Sequence, residues 1–261
     1  ATLFITAGGY YTSYINGERI GKNILDPAWT NHNKRIYYTK YDLSDNLNTG
    51  KNVIAVTLGN GFYNPLPMKM FGKYNLRNEL NARKPEFIAR LEIVYESGKT
   101  EEIITDHNWK HSYGPVRNNN VYLGEIYDGS KEAEGWTTVD YDDAKWAESV
   151  ESSGPGANLQ KAFFPAVQVT STVSPVSVKQ AAAGYVVDMG VNYTGLYKIR
   201  LKGNKGDTII FRFGERIYDN GELNPMTSVC GQIKRKGMAG DGAPDIAWQT
   251  DKYIFGEKNE V

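Results

Sequence analysis

Along this chain the apolar positions recur at every second residue, and rarely with a helical period. Ala89, Leu91, Ile93 and Tyr95 alternate with Arg90 and Glu92, then Ser97-Gly98 leads into Glu101 to Thr105. That pattern predicts a hairpin with one buried face. Tyr14-Ile15-Asn16-Gly17 carries the Asn-Gly pair that supplies positive φ at both corners of a tight turn. Arg35 to Leu43 and Asn52 to Leu58 read as two more strands, joined through Asp42-Leu43-Ser44-Asp45, which we expect to form a short helical turn. Further on, Tyr197, Ile199 and Leu201 alternate with Lys198, Arg200 and Lys202. Ile209, Phe211 and Phe213 repeat the period after Gly206-Asp207, and Asp219-Asn220-Gly221 signals another turn. No apolar stripe of helical period is sustained over the length of an ordinary helix. Short strands, frequent turns and 27 Gly predict an all-β protein, two β-sandwich (jelly-roll-like) domains in tandem.

The best boundary is Ser152-Ser153-Gly154-Pro155-Gly156-Ala157, whose composition is that of a linker. Trp136 and Trp146 before it read as closing elements of the first core. The expected domains are therefore residues 1–155 and 156–261. Two stretches resist assignment to strands, Asn64 to Glu86 and the Gly-rich Ser228 to Ile246. Loops of that length in compact domains are usually functional or disordered.

Charge narrows the choice of partner. Lys+Arg and Asp+Glu both number 30, a formal net charge of zero, which argues against nucleic acid as a partner because phosphate binding needs a basic excess. No apolar run approaches the ~20 residues of a membrane span. Cys230 stands alone, so an intrachain disulfide is excluded. A lone cysteine fits the cytoplasm, or an exported protein that relies on its core. The sequence opens directly into strand-like Leu3-Phe4-Ile5, so the missing signal peptide says nothing about compartment. We expect an extracytoplasmic protein, periplasmic or secreted.

Catalytic signatures are absent: there is no HExxH, no GxSxG elbow and no P-loop. His107 and His111 are four apart, but in a strand-and-turn context that spacing does not place them on one face. Binding chemistry has more candidates. Tyr is abundant, 18 against 9 Phe and 5 Trp, and its ring suits half-buried strands as well as sugar faces. Phe62, Tyr63 and Tyr122 are candidate platforms for a sugar ring. Asn60, Asn118, Asn119 and Asn120 are candidate partners for its hydroxyls, because an amide both donates and accepts. Asn120, Glu125 and Asp128 are candidate oxygen ligands for calcium. The competing reading is that these residues only stabilise turns.

Several segments, taken in order, resemble the N-terminal region of bacterial α-L-rhamnosidases. They are Gly9-Tyr10-Tyr11, Tyr14-Ile15-Asn16-Gly17, Leu25-Asp26-Pro27-Ala28-Trp29-Thr30, Tyr41-Asp42-Leu43 and Leu58-Gly59-Asn60-Gly61-Phe62-Tyr63. The series continues with Thr105-Asp106-His107-Asn108-Trp109, Gly124-Glu125-Ile126-Tyr127-Asp128 and Asp142-Asp143-Ala144-Lys145-Trp146. Val187-Asp188-Met189-Gly190-Val191-Asn192 and Thr250-Asp251-Lys252-Tyr253 complete it. The resemblance implies a jelly-roll carbohydrate-binding-like domain followed by a second β-sandwich. It also implies that the chain stops short of a C-terminal (α/α)6 barrel on the same polypeptide, which carries the family's catalytic acids. A rhamnose-containing carbohydrate is the implied partner. Three roles stay open: an accessory part of the enzyme, a lectin-like module that works without the barrel, and a purely structural support.

Overall fold

The computed structural model describes residues 1–65, 69–70, 74–80, 82–229 and 246–261, with the backbone alone at 69–70 and 74–76. Most of the Gly-rich Ser228 to Ile246 stretch, Cys230 included, lies outside the described residues, as does part of Asn64 to Glu86. The described residues are almost wholly strand, turn and loop, with one short α-helix, Leu76–Glu79, and two 3-10 turns, Gly129–Lys131 and Pro225–Ser228. The fold is an all-β sandwich architecture. The chain forms two compact units, and their composition differs from a simple cut at residue 155. The first contains Ala1–Pro65, Leu80–Tyr113 and Ala133–Gln168; the second contains Leu66–Glu79, Gly114–Glu132 and Val169–Val261.

In the first unit a five-stranded sheet runs in the order Asn158–Lys161, Arg35–Asp42, Thr2–Gly8, Glu86–Val94, Thr100–Ile104. A three-stranded sheet, Glu18–Arg19, Tyr10–Ile15, Ile54–Gly59, supplies the other layer. The period-two pattern explains the packing. Leu3 sits opposite Leu91 and Ile5 opposite Ala89, so the alternate apolar residues of both strands share one face. They close over Tyr11, Ile15, Ile20 and Leu43 in one buried cluster. Each fully buried Leu or Ile side chain contributes ~1.5–3 kcal/mol. Trp136 stacks on Trp146 at 6.2 Å and meets the Tyr14 ring at 5.5 Å, so both tryptophans belong to this unit as expected.

The expected hairpins form. Asn16 (φ 50°) and Gly17 (φ 90°) make the tight turn into Glu18–Arg19, and Ser97-Gly98 turns Glu86–Val94 back into Thr100–Ile104. Asp42 to Asp45 is a turn and not a helical one. The Asp42 carboxylate accepts from the backbone N–H and the hydroxyl of Ser44, and Asn46 N–H closes onto Leu43 C=O at 3.0 Å. Short polar side chains that bond their own backbone in this way compete with helix.

The boundary differs from the expectation for a related reason. Asn158–Lys161 lies beyond the Gly-Pro-Gly stretch, yet it pairs in parallel with Arg35–Asp42 and so remains in the first sheet. Conversely, Val116–Asn120 and Gly124–Asp128 precede that stretch but belong to the second unit. There Gly124–Asp128 runs parallel to Thr250–Ile254, in the order Val116–Asn120, Gly124–Asp128, Thr250–Ile254, Thr208–Arg212. Phe255 is its most buried large side chain, packed edge-on to Tyr253 at 5.1 Å. Tyr197 to Leu201, read as a strand from its alternation, joins no sheet among the described residues. Its contacts include ring packing of Tyr197 on Phe211 at 5.1 Å and reciprocal backbone bonds between Leu201 and Val261. Apolar residues of the Ser177–Ala181 and Gly184–Asp188 hairpin, Val178 and Val187 among them, remain exposed.

Candidate functional site

The predicted site residues fall into two groups, one in each unit. Asn60, Phe62 and Tyr63 lie in the first; Asn118, Asn119, Asn120, Tyr122, Glu125 and Asp128 lie in the second. No single unit contains the predicted set.

In the first group the residues after the Ile54–Gly59 strand form a compact turn. Asn64 N–H bonds to Asn60 C=O at 3.1 Å, and Asn64 Nδ2 donates to Asn60 Oδ1 at 2.9 Å. The two neighbouring rings of that turn point to different places. Phe62 is half-buried and packs on Trp29, with centroids 4.9 Å apart and planes tilted by 37°. Tyr63 points inward and is fully buried. Its hydroxyl is bonded to Glu86, and its ring meets the edge of His32 at 4.9 Å. Tyr63 is therefore a core residue and not a sugar platform, and burial together with the bond to Glu86 raises its phenol pKa well above the ordinary value.

The exposed ring beside Phe62 is that of Trp29, not Tyr63. Trp29 is 53% exposed and sits on the loop between Asp26 and Arg35. Asn31 organises that loop: its carbonyl accepts from Lys34 and Arg35, and its side chain accepts from Asn33 N–H. Upstream the loop is anchored by Asp26, which is 8% exposed. Asp26 Oδ2 accepts from Asn23 Nδ2 at 2.8 Å, Thr39 Oγ1 at 3.1 Å and Tyr41 Oη at 3.2 Å. The Tyr41 phenol is pushed up to about 12 by burial and by the Asp26 carboxylate. Trp29 had been legible only as one letter of a family-like segment; its exposure depends on a loop whose anchor is buried elsewhere.

The second group forms no ligand cage. Asn120 pairs with Gly124, and Asp128 lies four residues further along that strand, ~13 Å away at ~3.3 Å per residue. Calcium ligands sit ~2.3–2.6 Å from the ion, so these two do not reach a common one. Asn120 is buried; its Oδ1 accepts from Tyr122 N–H, and its Nδ2 meets no partner among the described residues. Asp128 caps a short 3-10 turn, accepting from Ser130 N–H at 3.0 Å and Ser130 Oγ at 2.6 Å, which holds its carboxyl below the usual range. Asn119 lies opposite Glu125 in the ladder, and Asn118 opposite Ile126. The predicted calcium set Asn120, Glu125 and Asp128 is thus separated by strand geometry. The acid that does approach Glu125 is Asp251, whose Oδ1 accepts Glu125 N–H at 2.7 Å. Burial, and then repulsion from Asp251, raise the Glu125 carboxyl although solvent still reaches the residue. Tyr197 also hydrogen-bonds Asp251. No signal in the sequence pairs positions so far apart.

His107 and His111 do not meet as metal ligands. His107 faces Glu151 at 3.6 Å, and His111 lies in a two-residue ladder with Ala147. Among the described residues no three His, Cys, Asp or Glu side chains gather into a metal-holding group.

Comparison with known proteins also divides the chain in two, with a boundary in sequence near residue 171 that leaves Gly114–Glu132 on the N-terminal side. The family model of the α-L-rhamnosidase N-terminal domain matches residues 1–171, and that of the bacterial α-L-rhamnosidase concanavalin-like domain matches residues 179–258. An α-L-rhamnosidase from Formosa agariphila is 32% identical over 256 residues, 97% of this chain and 26% of that protein. The solved α-L-rhamnosidase from Dictyoglumus thermophilum superposes with a TM-score of 0.82 at 36% identity, covering 100% of this chain and 26% of its own. The Streptomyces avermitilis α-L-rhamnosidase, solved in complex with L-rhamnose, gives a TM-score of 0.84 at 25% identity, covering 100% of this chain and 23% of its own. The chain thus spans about a quarter of the length of these relatives. With one domain of the family matched over residues 1–171 and another over residues 179–258, the chain belongs to the bacterial α-L-rhamnosidases and carries their N-terminal and concanavalin-like domains.

Proposed function

We propose that this chain is the accessory part of an α-L-rhamnosidase, and that its first unit engages the rhamnose-containing carbohydrate which a catalytic domain elsewhere on the polypeptide cleaves. The observation that carries the reading is the Trp29–Phe62 pair, a solvent-reached aromatic surface beside the Asn60 and Asn64 amides. Sugar recognition needs that combination, an apolar face for the ring carbons and fixed polar groups for the hydroxyls. The S. avermitilis relative's complex with L-rhamnose supports the choice of sugar. Exposed Val178 and Val187 in the second unit support a role in packing against a further part of the polypeptide. An extracytoplasmic location goes with this reading.

The test is a titration of L-rhamnose followed through the Trp29 indole N–H signal by NMR. Saturation in the millimolar range is expected, ~4 kcal/mol of binding. Phe62→Ala should weaken it about fivefold or more, since one stacked ring contributes ~1 kcal/mol. An indole signal that stays still at tens of millimolar sugar would leave the structural role.

A further inference from the structure

The Asp26 anchor also borders a cavity of about 190 Å3 inside the first unit. Its lining is of two kinds. Pro27, Ala28, Ala162, Ala166 and the Phe164 ring make an apolar wall, while Asn23, Asp26 and Thr39 make a polar one. Tyr37, Tyr38 and the exposed Lys40 and Lys161 complete the lining. The part of the apolar wall that comes from residues 158–168 is held firmly. Asn158–Lys161 is paired with Arg35–Asp42, Ala162 N–H bonds to Tyr38 C=O at 3.0 Å, and Ile24 N–H bonds to Val167 C=O at 2.9 Å. Gln168 Nε2 donates to Asn23 Oδ1 at 3.0 Å, and the Phe164 ring stands edge-on to Tyr37 at 5.0 Å. The cavity is therefore preformed, which lowers the entropic cost of filling it.

Its polar wall has unused hydrogen-bonding capacity. All three donors to Asp26 converge on Oδ2, and among the described residues none donates to Oδ1. Behind Asp26 a smaller recess shares Asn23 and Asp26 and is lined by Tyr11 and Ser13. Among the described residues Ser13 Oγ is shielded from solvent with no hydrogen-bond partner, on a residue 2% exposed. The hydroxyls of Thr39 and Tyr41 lie beside Tyr11 and donate to Asp26 Oδ2.

Size and charge select the ligand. At ~30 Å3 per water the cavity holds about six waters, room for one sugar ring and not for an oligosaccharide. A carboxylate in the polar wall disfavours anions, and the two lysines disfavour cations. We infer that this cavity binds a single neutral sugar ring, with a ring hydroxyl donating to Asp26 Oδ1 and the apolar face of the ring against Ala162, Phe164 and Ala166. The inference rests on the carbohydrate role proposed above, and it places a second, more enclosed subsite behind the Trp29 surface loop.

The experiment uses the full chain with labelled alanine methyls, assigned at Ala28, Ala162 and Ala166 by single Ala→Gly variants. On adding L-rhamnose the three methyl signals should shift together and saturate with one dissociation constant, and they should still do so in Trp29→Ala. Asp26→Asn should weaken the binding about tenfold, and Ala162→Leu, which fills the cavity, should abolish it while distant methyls stay unmoved. If Asp26→Asn does not fold, Ala162→Leu and Ala166→Leu carry the test. The cavity reading is overturned if the three methyls do not move at tens of millimolar sugar. It is equally overturned if their shifts vanish in Trp29→Ala or survive Ala162→Leu. The Trp29 indole signal reports separately on the surface site, so either reading can fail while the other stands.

Discussion

Gly8 ends the Thr2–Gly8 strand directly under the ring of Tyr63. A methyl group at residue 8 would lie 2.4 Å from Tyr63 Cε1, 2.5 Å from Cζ and 2.8 Å from Cδ1. Carbon atoms at rest stand ~3.5–4.0 Å apart, so Gly8→Ala demands that the ring move by about 1 Å or more. The ring has nowhere to go. Its hydroxyl is held by Glu86, its backbone carbonyl by Arg83 N–H at 2.9 Å, and its ring stands T-shaped against His32. Overpacking of this kind costs ~1–3 kcal/mol. In a unit of this size each kcal/mol shifts Tm by ~2–4 °C, so Gly8→Ala should melt roughly 2–12 °C below the parent. Because Phe62 adjoins Tyr63, the same change should loosen the Trp29–Phe62 pair and weaken L-rhamnose binding. A double-mutant cycle followed by circular dichroism isolates the cause. Tyr63→Ala alone should cost ~3–5 kcal/mol, as for other large aromatic truncations. In that background Gly8→Ala should cost nothing, or stabilise by up to ~1 kcal/mol, because Ala is better than Gly inside a strand. If Gly8→Ala were neutral alone, or equally costly in both backgrounds, the supposed clash would not exist.

Burial holds His32 below the ordinary histidine value of 6.5 in the folded chain. The unfolded chain then takes up the proton first, so stability should be full above about pH 6.5 and decline as pH falls towards the lowered folded value. Urea midpoints measured across that range should show the decline, and His32→Phe, which keeps a ring against Tyr63, should flatten it. Limited proteolysis should nick Ser152 to Ala157 without releasing Asn158–Lys161, which stays paired to Arg35–Asp42. The expected result is two fragments on a denaturing gel and an unchanged native elution volume, and loss of the second fragment on native sizing would contradict the pairing. An aryl α-L-rhamnoside should survive incubation with this chain, because the Asp251 carboxylate beside Glu125 is already engaged by Glu125 N–H and by Tyr197. Turnover above a buffer blank that disappears in Glu125→Gln or Asp251→Asn would overturn this.

Local pattern was enough for the elements whose causes are local. The alternation from Ala89 to Tyr95 specified a strand and its buried face, and Asn16-Gly17 and Ser97-Gly98 specified their turns, because positive φ and side-chain period are properties of a few adjacent residues. The Asp42 turn failed as a helical reading because its side chain bonds its own backbone, a choice that the hydrophobic pattern does not record. Pairing was decided elsewhere. Whether Asn158–Lys161 adds to the first sheet, or Gly124–Asp128 to the second, depends on which distant edge offers free backbone groups and an apolar face, and composition around Ser152 to Ala157 carries no trace of that. The site followed the same rule. Phe62 and Tyr63 are neighbours of similar chemistry, yet Gly8 admits one ring to the core while Trp29 keeps the other at the surface. The Asp26 cavity needs walls from residues 23–28 and 158–168 at once. A strand or a turn arises from nearest neighbours along the chain; a pocket arises from neighbours in space, and only the folded core selects those.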